Sequence, residues 1–169
     1  MIDKARVALS RMPPLSGAPI ELRYRRESRH VHAGSFLRER RISIDPGLCR
    51  LPQEFSRILV HEMFHFVWLR LGNRRRQSFE AMIRREWREG VQGELGWSAE
   101  RRKATLKERD VERRTRAWRL YCCESFCDTA AWLFAGLSCH EEFTLEASAR
   151  DPRREWFETL QQSSRTLPV

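Results

Sequence analysis

His61-Glu62-Met63-Phe64-His65 puts two imidazoles four residues apart, with a carboxylate directly after the first. On a helix such a pair lies one turn apart on one face, so both rings can reach a single ion. Glu62, one residue on, can stand beside an ion-bound water without ligating the ion. Zinc acidifies such a water, and a carboxylate within reach takes its proton as attack on a carbonyl begins. The surroundings sharpen the reading. From Phe55 to Leu71 the chain is strongly apolar, and two histidines and a glutamate buried there without partners would cost several kcal/mol. A metal supplies the partner.

Catalytic zinc takes three protein ligands and keeps one position for water, so a third ligand must come from elsewhere. The other histidines are His30, His32 and His140. Glu124 is the stronger candidate. It lies in an apolar segment, Tyr121-Cys122-Cys123-Glu124-Ser125-Phe126-Cys127-Asp128, that reads as helix on both sides of the acids. Glu124 and Asp128 share a face and repel each other unless a cation lies near. Glu124 is therefore expected to ligate, and Asp128 to accept the free ring N–H of a zinc-bound histidine and fix its tautomer. Tyr121, one turn before Glu124, and His140, after the helix, are candidates for the oxyanion donor of acyl transfer. His30 and His32 alternate on a possible strand and read as surface residues.

The pair of motifs, His61-Glu62-x-x-His65 followed on a later helix by Glu124-x-x-x-Asp128, resembles the gluzincin metallopeptidases, the thermolysin-like branch of the zincins. A weaker resemblance is to compact bacterial members such as the ImmA/IrrE group, through the Glu-x-x-x-Asp-x-Ala-Ala helix. The likeness covers roughly 41–71 and 117–136. It implies a zincin-like fold and zinc on His61, His65 and Glu124. It also implies Glu62 as general base, Asp128 supporting a ligand histidine, and a protein or peptide substrate. Zincins pair an extended substrate with an edge strand above the cleft, here 30–37 or 41–45. The 58 residues between His65 and Glu124 form a longer gap than in many compact members.

These residues need elements to hold them. Ile2, Ala5, Leu9 and Met12 have helical spacing. Ile20, Leu22 and Tyr24 alternate as in a half-buried strand, as do Ile42 and Ile44, with a further extended stretch over 30–37. Pro52 suits the first turn of a buried helix that Gly72-Asn73 ends. Helices are expected over 78–90, from about 99, over 111–135 and near 152–162, with a short extended stretch at 143–145. The expectation is one α+β domain over 1–169. In it a small N-terminal mixed sheet packs on the zinc helix and on a second, ligand-bearing helix. Residues 72–116 form an Arg-rich helical insertion.

At 169 residues, with 41% hydrophobic and 33% charged residues, the chain is long and apolar enough for a folded core. No stretch reads as a membrane span or a secretory signal, so a cytoplasmic location is expected. Five cysteines, at 49, 122, 123, 127 and 139, lack disulfide-scaffold spacing and read as small buried apolar residues. The net charge of +9 comes from 29 arginines and 3 lysines against 23 acids. Residues 70–119 alone hold 16 basic and 8 acidic side chains. Nucleic-acid binding is thus possible but not favoured, because acids stand three or four residues from many arginines. Two alternatives to a zinc peptidase remain. One is a DNA-associated zinc protease or a basic nucleic-acid-binding protein; the other is a catalytically inactive, zinc-stabilised domain.

Overall fold

The computed structural model describes residues 2–25 and 32–169. In chain order its elements are α1 (Ile2–Leu9), β1 (Leu15–Ser16), β2 (Glu21–Tyr24), β3 (Ala33–Phe36), β4 (Arg41–Ile44) and a 3-10 turn (Pro46–Arg50). There follow α2 (Pro52–Arg70), α3 (Asn73–Arg88), α4 (Trp97–Lys103), α5 (Glu108–Glu112), α6 (Arg116–Phe134), α7 (Ala147–Gln162) and β5 (Leu167–Pro168). The architecture is α+β. No helix among the described residues is long and apolar enough to cross a membrane.

The sheet is mixed, as its alternating strands led us to expect. Its order is β2-β4-β3, with β2 parallel and β3 antiparallel to β4. Ile42 and Ile44 of the central strand are buried against the helices. The stretch at 41–45 therefore has both edges paired and cannot accept a substrate strand. Of the two stretches expected to serve as an edge, the one over 30–37 does lie at an edge, as β3, although 30 and 31 fall outside the described residues. A second, two-stranded parallel ladder joins β1 to β5. Residues so far apart in sequence gave no local signal of pairing.

Pro52 sits in the first turn of α2, where a missing N–H costs no intrahelical bond. Helix α2 is apolar on nearly every side because it is covered on nearly every side: Phe55, Leu59, Val60, Met63, Phe64, Phe66 and Val67 are all buried. Its long partner is α6. Between them Phe64 meets Phe126 at 5.8 Å between ring centroids, and Phe126 stacks on Phe157 of α7 at 5.0 Å. Such aromatic pairs contribute about 0.5–1.5 kcal/mol each beyond area burial. They fix how far α6 is rotated about its own axis, and hence where its polar side chains point.

Four boundaries differ from the sequence reading. Helix α3 begins at Asn73, where the Gly72 carbonyl accepts from the N–H groups of Arg75 and Arg76. The helix expected over 111–135 is two helices, parted at Arg114 (φ 48°), and the Thr115 hydroxyl donates to Asp110 across the break. Residues 143–145 form no strand. The N–H groups of Thr144 and Leu145 both converge on the Glu94 carbonyl, and Gly93 at φ +74° leaves room for that approach. Finally, α7 starts at Ala147 and carries Pro152 inside it.

Candidate metal centre

Helices α2 and α6 bring His61, His65 and Glu124 together, with one ligand atom of each inside a 4.8 Å cluster. The two Nε2 atoms are 3.1 Å apart, and a Glu124 Oε2 lies 3.3 Å from His61 Nε2 and 3.7 Å from His65 Nε2. Four ligands around zinc at its usual bond lengths are separated by about 3.3 Å, so the cluster has the dimensions of a tetrahedral face. The three side chains are 10%, 17% and 13% exposed, enclosed yet reachable.

The far side of each imidazole decides its tautomer. His61 Nδ1 lies 2.7 Å from Asp128 Oδ1, so it carries the proton and donates it, leaving Nε2 as a lone pair. Asp128 is itself held: its Oδ2 accepts from the Ala99 N–H at 2.9 Å, in the first turn of α4. Gly96 runs past this carboxylate so closely that a Cβ there would overlap it. His65 Nδ1 faces Cys123 Sγ at 3.4 Å, and its Nε2 faces His61 Nε2. Two ring nitrogens and a carboxylate thus converge on one place, where a ring proton or a metal ion can sit between them.

The electrostatics agree. Burial disfavours the charged form of His61, but the Asp128 charge and hydrogen bond, with Glu124, outweigh it and hold the ring well above its ordinary pKa. Burial also opposes ionisation of Glu124, yet the His61 hydrogen bond and the His65, His61 and Arg102 charges bring it down to about 2. In His65, burial is outweighed by the Cys123 contact, and the ring is raised too. The site holds a proton where it can hold a metal.

Glu62 stands outside the ligand set. Its Oε2 is 2.5 Å from the hydroxyl of Ser35 on β3, and that hydroxyl also lies 2.8 Å from the Glu62 carbonyl. The proposed base and the edge strand are therefore in direct contact.

Two expected oxyanion donors are elsewhere. Tyr121 is buried and its hydroxyl donates to Glu94, within a network that includes Arg153. His140 has both ring nitrogens occupied: Nδ1 accepts from the Glu142 N–H at 3.2 Å, and Nε2 meets Glu54. His32 is exposed, and its carbonyl accepts from the Asp45 N–H; His30 lies outside the described residues.

Two further groups have metal-like composition, and each is weaker. Glu54, His140 and Glu142 enclose Arg57, whose guanidinium reaches Glu54 at 2.7 Å and Glu142 at 2.6 Å, so the cation is already supplied. His65, Cys123 and Cys127 also converge. There the Cys127 hydrogen bond and His65 bring the Cys123 thiol down to about 6, but burial pushes the Cys127 thiol well up, which disfavours the second thiolate such a site needs.

Sequence reasoning missed Ser35, Gly96, Cys123 and Arg102, the last donating to Glu124 Oε1 at 3.1 Å. The Cys123–Cys127 spacing was a usable signal, since four residues put both on the flank of the face that bears Glu124. Nothing local marks the other three. No family model, no curated protein and no solved structure matches the chain.

Proposed function

We propose that this chain is a zinc-dependent peptidase of the zincin type, with one ion per chain held by His61, His65 and Glu124. The observation that carries the reading is the convergence of two imidazole nitrogens and one carboxylate at tetrahedral spacing, with the His61 tautomer set by Asp128. When bound, zinc would polarise the scissile carbonyl and acidify a coordinated water. Glu62 takes the proton of the attacking water and passes it to the leaving amine. Ser35 holds Glu62 through its hydroxyl. A protein or peptide substrate, extended along β3, an edge strand among the described residues, would lie against the same residue. The resemblance to gluzincins, and the weaker one to ImmA/IrrE-like members, supports this assignment of roles.

A purely structural zinc domain is less well supported. Structural sites close with four protein ligands, whereas among the described residues three converge here beside an acid outside the cluster. A nucleic-acid function is also less well supported, because several arginines of the basic segment are engaged within the chain. Arg114 pairs with Glu80 at 2.7 Å, and Arg75 bonds Ser164 at 2.7 Å.

Two isosteric substitutions test the proposal, read by zinc content and by cleavage of a peptide library. Glu62→Gln should keep zinc and lose about 10²–10⁴-fold in turnover, the usual magnitude of general-base catalysis. Glu124→Gln should lose zinc as well as rate. Undiminished cleavage by Glu62→Gln would sink the mechanism, and equal zinc loss in both would show that the third ligand is another residue.

A further inference from the structure

The cleft that opens from Glu124 differs in chemistry from the ligand set. Ser98, Arg101, Arg102, Thr105 and Glu124 line about 320 Å³. Among the described residues Glu124 is the only acid in this wall, and it is committed elsewhere, with Oε2 toward the two histidines and Oε1 toward Arg102. Thr105 directs its hydroxyl to the Arg102 carbonyl. Arg101 is exposed, and among the described residues neither its guanidinium nor the Ser98 hydroxyl has a hydrogen-bond or ion-pair partner. Arg102 uses one terminal nitrogen on Glu124, and its side chain is 41% exposed. With Glu124 shared with a divalent cation, two guanidinium forks are left facing an open space with no anion of the chain to fill it. A guanidinium fork matches a carboxylate in shape as well as charge.

On the zinc-peptidase reading above, we propose that this cleft is a subsite for a carboxylate of the peptide substrate, held by Arg101 and Arg102. Glu124 is at once a metal ligand and a wall of the cleft. An extended chain advances about 3.3 Å per residue, so the carboxylate belongs to a residue close to the scissile bond. Its source is either an Asp or Glu side chain or the substrate's own C-terminus. The cleft therefore gives the enzyme a preference for acidic sequences or for cleavage near chain ends.

The test reads binding separately from turnover. Zinc-loaded Glu62→Gln protein is titrated with fluorescent hexapeptide pools that hold Glu or Gln at one position, each with a free or an amidated C-terminus. Charged hydrogen bonds of this kind predict that Glu pools bind about 10-fold or more tighter than Gln pools if the side chain is the source. Free C-termini should win by the same factor over amides if the terminus is. The preference should shrink as salt rises. Adding Arg101→Gln, at a residue that contacts no metal ligand, should weaken it several-fold with zinc content still at one per chain, and adding Arg102→Gln as well should abolish it. Equal binding of all pools, binding of none, or a preference that survives in the double variant overturns the subsite. The peptidase reading stands or falls on a different result, cleavage of the same pools by the wild-type protein. Cleavage without acid preference removes the subsite alone, and acid-selective binding without cleavage removes the peptidase alone.

Discussion

Helix α6 buries polar side chains on two sides, and the two sides solve the problem differently. Toward the loop after α3, Tyr121 and Ser125 reach Glu94, and Thr129 meets Arg153. Arg153, fully buried, lies 2.6 Å from Glu86 and 2.8 Å from Glu94, and Lys103 adds a second cation at 3.6 Å from Glu94. Two acids meet two bases, and every contact is a donor meeting an acceptor. Toward α2, Glu124 and Asp128 meet two imidazoles whose Nε2 atoms face one another at 3.1 Å. The first side is complete within the chain. The second leaves three metal-ligating atoms converging on one place. A buried charge signals function by what its partners leave unsatisfied, since buried ion networks that close on themselves are common structural features.

The difference can be broken most strongly at Arg153. Arg153→Leu leaves Glu86 and Glu94 buried without their main partner and should cost about 3–5 kcal/mol of stability in denaturant unfolding, with zinc present or absent. Wild-type stability in that variant would mean that the network is not self-compensating. Asp128→Asn should instead spare the fold and weaken zinc binding about 10–100-fold, because an amide holds the His61 N–H less firmly. Gly96→Ala should act in the same direction by displacing the same carboxylate. If either variant melts early with full zinc affinity, Asp128 is a structural residue and the two sides are alike.

Proton release sharpens the comparison further. Asp128 and Glu124 hold His61 well above its ordinary pKa against the opposing effect of burial, so a metal at this ring competes with a proton. Below that pKa, affinity should fall by about tenfold per pH unit for each proton displaced. Calorimetry in buffers of different ionisation enthalpy counts these protons; zero release would remove His61 from the ligand set. The smallest effect is expected at Cys123. Cys123→Ser keeps an acceptor for His65 Nδ1, and zinc affinity should change only a few-fold. Complete loss of zinc in that variant would place the ion among His65, Cys123 and Cys127 instead.

Legibility in the sequence followed distance along the chain. The HExxH helix, the Glu124–Asp128 pair and the alternating strands all express one periodicity within a few residues, and the structure has them as elements α2, α6, β2 and β4. The failures are of another kind. Tyr121 lies about 60° around α6 from Glu124, close enough to lean either way; Glu94, brought in by the turn at Gly93, draws its hydroxyl to the other side. His140 was a free imidazole by sequence, but Glu54, 86 residues away, claims it.

Composition and spacing alone determined that two imidazoles share one face, that two carboxylates share another, and that both helices bear too much apolar surface to lie exposed. Those are consequences of 3.6 residues per turn and of the cost of wetting hydrocarbon. Only the tertiary structure decided that the two faces meet, that Ser35 of an edge strand touches Glu62, that Arg101 and Arg102 line the cleft at Glu124, and that the Ala99 N–H and Gly96 secure Asp128. Each depends on the rotation and depth at which packed elements settle. Aromatic rings such as Phe64, Phe126 and Phe157 set that in three dimensions, and no local pattern records it.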